Sequence, residues 1–226
     1  MLEFKTPDSK IVAAGGVAGE AWNTTNLDTV DREIFSVFKN SEIITPDDVR
    51  KKGLTLEQSI LKYGWPSQKD ARGKVMFLMD NEPNPGSIRD IYRGTTHLNL
   101  EKRAIFTNSI PGQPDAAFLK RNNPLGENVQ LIQELVKKGY FVRTRSDVPM
   151  EQVLKEDYSM LAAALESGAQ MISTDFQSVG MGSRWNSSFV ARLPGLKSGE
   201  GRGSVRCNPV VGGKKCRDGE LERLKD

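Results

Sequence analysis

Two short apolar runs that end in charge, joined by an amphipathic stretch, constrain the fold of this chain more than any other feature. The first is Gly139-Tyr-Phe-Val-Arg-Thr-Arg-Ser-Asp147 and the second is Ser167-Gly-Ala-Gln-Met-Ile-Ser-Thr-Asp175. Each reads as a buried strand whose last residues turn polar, and Met150 to Glu166 between them reads as an amphipathic helix. A strand-helix-strand unit of this kind belongs to parallel sheets, and in a (β/α) barrel the chemistry sits at the C-terminal ends of the strands. Phe141, Arg143 and Arg145 fall on one face because strand side chains alternate. Two guanidiniums on one face call for an anion. That anion is either a structural carboxylate, Asp147 or Asp175, or a substrate phosphate that planar arginine meets with paired bonds; the residues leave both open.

The rest of the chain extends the pattern. Met1-Leu-Glu-Phe-Lys5, Lys74 to Asp80 and Arg103 to Asn108 read as further strands. Leu27 to Phe38 predicts a helix capped by Asn26 or Asp28, with Val30, Ile34 and Val37 on its apolar stripe. Thr55 caps a short helix that ends at Gly64-Trp65-Pro66, and Gly126 to Lys138 is a helix stopped by Gly139. Asp115 to Lys120 reads as one or two helical turns, and the chain is irregular from Gln177 onward. About five strands are present where a closed barrel needs eight in roughly 250 residues, so about three are expected before Met1. The expected architecture is therefore a partial TIM-type α/β barrel that lacks its N-terminal half. It occupies residues 1–216, and 217–226 form a charged tail expected to be mobile.

Composition excludes some classes. Hydrophobic residues make up 37% and charged residues 27% of the 226, and no run approaches the ~20 apolar residues that span a bilayer. A formal charge of +3 and a pI near 8.8 favour contact with an anionic membrane surface but fall short of a nucleic-acid footprint. Cys207 and Cys216 suit a small disulfide loop, and the acceptor sequons at Asn23 and Asn186 fit the same oxidising, extracellular compartment. No signal peptide is visible; it would lie in the absent N-terminal part.

Candidate chemistry starts at Glu3 and Lys5. Two apart on a strand, they share a face, and on the inward face of a barrel lone charges are costly unless paired or bound to a metal. The pair is either a surface salt bridge, or a hard-oxygen ligand for Ca²⁺ at Glu3 beside a phosphate contact at Lys5. Lys74 opens the next strand and Asp80 closes it; Asp80 and Asp175 each read equally as a barrel-mouth carboxylate or as a turn cap. His97 stands in a polar loop with no second histidine to pair with. No Cys/His metal cluster, phosphate loop, nucleophile elbow or dinucleotide fingerprint is present, and Gly199 to Gly203 neither follows a strand nor opens a helix.

Leu2-Glu-Phe-Lys5, Ile44-Thr-Pro-Asp-Asp-Val49, Gly64-Trp-Pro66, Arg72-Gly-Lys-Val-Met-Phe-Leu78, Pro114-Asp-Ala-Ala-Phe118, Val142-Arg-Thr-Arg-Ser-Asp147, Ser167-Gly-Ala-Gln170, Ser173-Thr-Asp175 and Arg206-Cys-Asn-Pro209 follow one another in order. Together they resemble the later half of the Ca²⁺-dependent, phosphatidylinositol-specific phospholipase C group of bacterial and fungal type. The resemblance implies a barrel that cleaves a phosphodiester by attack of the inositol 2-hydroxyl. In that family two histidines act as acid/base and electrostatic stabiliser, and Ca²⁺ on carboxylates and an asparagine offsets developing charge. It matches Glu3 to the last Ca²⁺ carboxylate, Lys5 and Lys74 to substrate phosphate or inositol contacts, and Arg143, Arg145 and Asp175 to the barrel mouth. His97 matches neither catalytic histidine; both belong to the absent N-terminal portion, so the chain alone is expected to be inactive. Three rivals stand beside this reading. A related barrel phosphodiesterase would act on glycerophosphodiesters or other phospholipid head groups, and a catalytically dead module would grip an anionic head group with Lys5, Lys74, Arg143 and Arg145. In the third, open sheet edges pair with another chain.

Overall fold

The computed structural model describes residues 1–6, 8–193 and 205–221. The chain packs as two compact units, Met1–Leu119 and Lys120–Asp226. The first carries α1 (Ser9–Ala13), α2 (Thr24–Val37), β1 (Ile43–Ile44), α3 (Pro46–Val49), α4 (Leu56–Tyr63), α5 (Gln68–Ala71), β2 (Val75–Met79), α6 (Ile88–Arg93) and β3 (Ile105–Thr107). Its sheet runs β1-β2-β3, all parallel, with Ile43 opposite Val75 and Phe77 opposite Ile105. Leu78, Met79, Ile105 and Phe106 are fully buried beneath helices that bring in Leu27, Leu56 and Ile60.

The start of α2 differs from the expected Asn26 or Asp28 cap. Asn23 is the cap, and its side chain and that of Asn26 bond reciprocally to each other's backbone N–H, closing a capping box. The buried stripe is Leu27, Asp31 and Ile34, which leaves Val37 exposed. Asp31 sets this rotation. Its carboxylate accepts from Tyr92 Oη, the Ala104 N–H and Arg103, and these bonds hold an acidic side chain inward. Burial pushes the Asp31 carboxyl up from its ordinary value, and these three donors only partly offset that.

The second unit starts inside β4 (Phe118–Lys120) and continues through α7 (Asn128–Lys138), β5 (Phe141–Arg145), a π-type turn at Pro149–Val153, α8 (Ser159–Glu166), β6 (Met171–Ser173) and α9 (Asp218–Leu221). The sheet order is β4-β5-β6, with Arg143 opposite Met171 and Arg145 opposite Ser173 in parallel register. Gly139 ends α7 as expected, at φ 105°, where its N–H closes on the carbonyls of Leu135 and Val136.

Three expectations are corrected. Within residues 115–120 only 118–120 form a strand, after a turn at 115–117, because Ala116, Ala117, Phe118 and Leu119 are all buried and leave no polar face for a surface helix. The helix expected over 150–166 is divided. Glu156 adopts φ 52° and Tyr158 stacks on Phe189 at 4.6 Å, which turns the chain away before α8 begins. Met1–Lys5 forms an isolated parallel bridge, Leu2 to Met79, where a strand was expected. Of the expected partial TIM-type α/β barrel, with about five strands, the described residues show six short strands in two three-stranded parallel sheets and no closed barrel. In the expected tail, residues 218–221 are helical, whereas 222–226 and the Gly199–Gly203 run lie outside the described residues.

Candidate functional site

Side chains of interest gather where β2 and β3 end. Leu2 N–H donates to Leu78 O at 2.7 Å and Asp80 N–H donates to Leu2 O at 2.8 Å, so the first residues run beside the C-terminal end of β2. The ladder is then continued by a side chain. Asn81 Oδ1 accepts from Phe4 N–H at 3.0 Å and Asn81 Nδ2 donates to Phe4 O at 2.8 Å, an amide standing in for a strand residue. Phe4 packs edge-on against Trp22, whose Nε1 donates to Lys5 O. With Leu2 and Phe4 turned toward protein, alternation puts Glu3 and Lys5 outward, where they pair at 3.1 Å with about half and three quarters of their side chains exposed (52% and 73%). An ion pair this open contributes only ~0–1 kcal/mol, so either partner exchanges readily to another charge.

Lys74 is not part of this group. It is exposed at the N-terminal end of β2, and at ~3.3 Å per residue the strand carries it roughly 20 Å from Asp80. The expected convergence of Lys74 with Glu3 and Lys5 on one mouth is therefore not what the first unit shows. His97 lies in the segment leading into β3, with Nδ1 2.8 Å from Glu101 O. Asp80 is buried at the C-terminal end of β2.

Sequence reasoning missed what braces that end. Asn108, directly after β3, reaches Asn81 O at 3.4 Å and Glu82 Oε2 at 3.3 Å through Nδ2. Behind it Arg89 donates through Nε to Asn108 O and through Nη2 to Ser109 Oγ and Asp115; Asp115 also takes Arg93 and Thr107 Oγ1. Burial lowers the Arg89 pKa from its usual value, and the adjacent Asp115 carboxylate limits that fall. Asn81 was readable only as part of a strand stop, and nothing in the spacing of Arg89 and Asp115, 26 residues apart, announces their pairing.

In the second unit Arg143 and Arg145 occupy one face of β5, as alternation requires. Arg143 is buried and its Nη1 donates to the neutral Asn122 Oδ1, while Asp147 accepts from Ser146 Oγ at 2.5 Å. Asp175 is exposed just beyond β6.

A calcium shell needs about 6–8 oxygens. Among the described residues no three His, Cys, Asp or Glu side chains gather to hold a metal, and Glu3 brings one carboxylate that faces Lys5. The residues present do not make a Ca²⁺ site by themselves.

The sequence profile of the family described as Phosphoinositide phospholipase C, Ca²⁺-dependent, matches residues 1–209. No curated protein and no solved structure matches the chain. The matched span takes in both parallel sheets, the Glu3–Lys5 pair and the paired arginines of β5. The chain belongs to the Ca²⁺-dependent phosphoinositide phospholipase C family.

Proposed function

We propose that this chain is part of a phosphoric diester hydrolase acting on phosphoinositides, its parallel strands being arcs of the family's TIM-type barrel. The observation that carries this is the family match over residues 1–209, with a carboxylate and an ammonium held together at the C-terminal end of a parallel strand. In this reading Lys5 in the first unit and Arg143 and Arg145 in the second are each cations for anionic lipid, Lys74 acts as a peripheral contact with the lipid surface, and Asp175 is a substrate-side residue of the second unit. Glu3 is the residue the family resemblance assigns to Ca²⁺.

The family's acid/base chemistry uses two histidines, and the 226 residues contain one, His97, engaged with Glu101 O. The 226-residue chain is accordingly proposed to bind head groups without turning them over. That same observation favours the second reading, a binding module for anionic lipid. Extracellular location is part of the proposal. The Cys207–Cys216 disulfide and the exposed sequon asparagines Asn23 and Asn186 support it.

The test incubates the chain with Ca²⁺ and either phosphatidylinositol vesicles or glycerophosphodiesters, following phosphate-ester release and vesicle co-sedimentation. The expected result is no release, with retention on phosphatidylinositol vesicles above phosphatidylcholine vesicles that falls several-fold in Lys5→Met. Release from phosphatidylinositol overturns the inactivity. Preferential release from glycerophosphodiesters moves the chain to the glycerol-type rival, and equal retention on both vesicles overturns head-group recognition.

A further inference from the structure

We infer that the Cys207–Cys216 disulfide is an exchange site for a low-molecular-weight thiol, attacked at Cys207 and released at Cys216, and that its opening unclasps the turn between α8 and β6. The two cysteines are the only ones in the chain; they are bonded to each other nine positions apart, and both are half-buried. Cysteines in apolar interiors are inert, whereas exchangeable ones sit partly exposed among cations. From Val205 to Arg217 the chain carries four cations, Arg206, Lys214, Lys215 and Arg217, and no carboxylate. Lys214 and Lys215 lead directly into Cys216 and Arg217 follows it, all three exposed. Cys207 is placed differently. Its one cationic neighbour in sequence, Arg206, is directed to Leu165 O, and its N–H donates to the Asp218 carboxylate at 2.6 Å.

This asymmetry sets the direction of exchange, because cations beside a departing sulfur stabilise the charge that develops on it. The incoming thiolate forms a new S–S bond at Cys207 Sγ, the Cys207–Cys216 bond breaks, and the electron pair leaves on Cys216 as a thiolate flanked by Lys215 and Arg217. One disulfide and one thiolate replace another disulfide and another thiolate, with no net oxidation. A second equivalent of thiol completes reduction of the chain to two thiols and is itself released in a disulfide with the first.

The ring holds the end of α8. Arg206 Nη2 donates to Leu165 O, and Asn208 Nδ2 donates to Gly168 O at 2.6 Å. Gly168 has φ 73°, and a Cβ there would lie 2.5 Å from Val210 Cγ2, so the ring comes as close to the turn as a glycine permits. Residues 211–216 bond back into the ring, Gly212 N–H to Asn208 O and Cys216 N–H to Gly213 O, both at 2.8 Å. Opening the cross-link returns conformational freedom to this segment and so weakens the anchors at Leu165 O and Gly168 O.

The site stands whether or not the chain acts on lipid. The test incubates the folded chain with β-mercaptoethanol, quenches with iodoacetamide and locates the adducts by peptide mass spectrometry. The expected product carries the mercaptoethanol disulfide on Cys207 and the alkyl group on Cys216. Lys214→Gln combined with Lys215→Gln should slow adduct formation about threefold or more, whereas Lys214→Arg combined with Lys215→Arg should keep the original rate. Both lysines are exposed, so neither pair of substitutions disturbs packing. In the trapped adduct, hydrogen-exchange protection of residues 165–170 should fall several-fold relative to the disulfide form. The mixed disulfide on Cys216, absence of any adduct, or an unchanged rate in the glutamine pair overturns the exchange site. Unaltered protection at 165–170 in the trapped adduct overturns the clasp.

Discussion

Asn81 shows how much one side chain sets at the candidate site. Its amide supplies both bonds that hold Phe4 after the regular ladder stops, and so fixes where Glu3 and Lys5 project. Asn81→Ala removes both, each worth about 0.5–1.5 kcal/mol net, and a stability loss of ~1–3 kcal/mol in urea titration is expected. Because Phe4 and Trp22 pack together, the same variant should expose Trp22 and red-shift its emission before global unfolding. Unchanged emission would mean that Trp22 is held by its bond to Lys5 O alone. Asp115 is the stronger case. It is fully buried and neutralises Arg89 and Arg93, so Asp115→Ala leaves two buried guanidiniums without their carboxylate and should cost about 3–5 kcal/mol. A cost below ~1 kcal/mol would show that Ser109 and Asn108 O satisfy Arg89 without it.

At the scale of elements, legibility followed run length. β2, β3, β5 and β6 were visible because apolar runs end in Asp80, Asn108, Asp147 and Asp175. The two-residue β1 is too short to show a period, and β4 ends in Lys120 within a stretch that reads as one or two helical turns, with no acidic stop like those that mark β2, β5 and β6. The inward turn of Asp31 and the break at Glu156 depend on partners distant in sequence, Ala104 and Ser188, which no local pattern contains. The Glu156 break makes its own prediction. Its carboxylate accepts from Ser188 N–H and Oγ, and these bonds hold its pKa below the usual glutamate value. A depressed folded pKa means that the stabilisation is present above the ordinary value near 4.5 and is lost as pH falls through the lower folded one. Hydrogen-exchange protection of residues 187–190 should therefore drop as pH is taken from about 6 to about 3, and Glu156→Gln should flatten that dependence. A wild-type profile already flat across that range would show that the Tyr158–Phe189 stack holds the segment by itself.

For the molecule as a whole, net charge and hydropathy bear on its contact with lipid. No helix among the described residues is long and apolar enough to cross a membrane, and the formal charge is +3. If the chain meets phosphoinositide lipid as proposed above, two forces compete to hold it at the membrane surface. Electrostatic attraction acts through Lys and Arg and is screened over ~10 Å at 0.1 M salt and ~3 Å at 1 M. Apolar insertion would act through exposed side chains such as Met150 and Val179, 65% and 72% exposed, and does not weaken with salt. Scattered exposed apolar residues are ordinary on protein surfaces, and the positive charge is small, so the electrostatic contribution is expected to dominate while remaining weak. Retention on vesicles containing anionic lipid should then fall several-fold between about 0.02 M and about 0.5 M salt. Retention that persists at the higher salt but is lost in Val179→Asp would transfer the role to the apolar side chains, and with it the reason for the +3 charge.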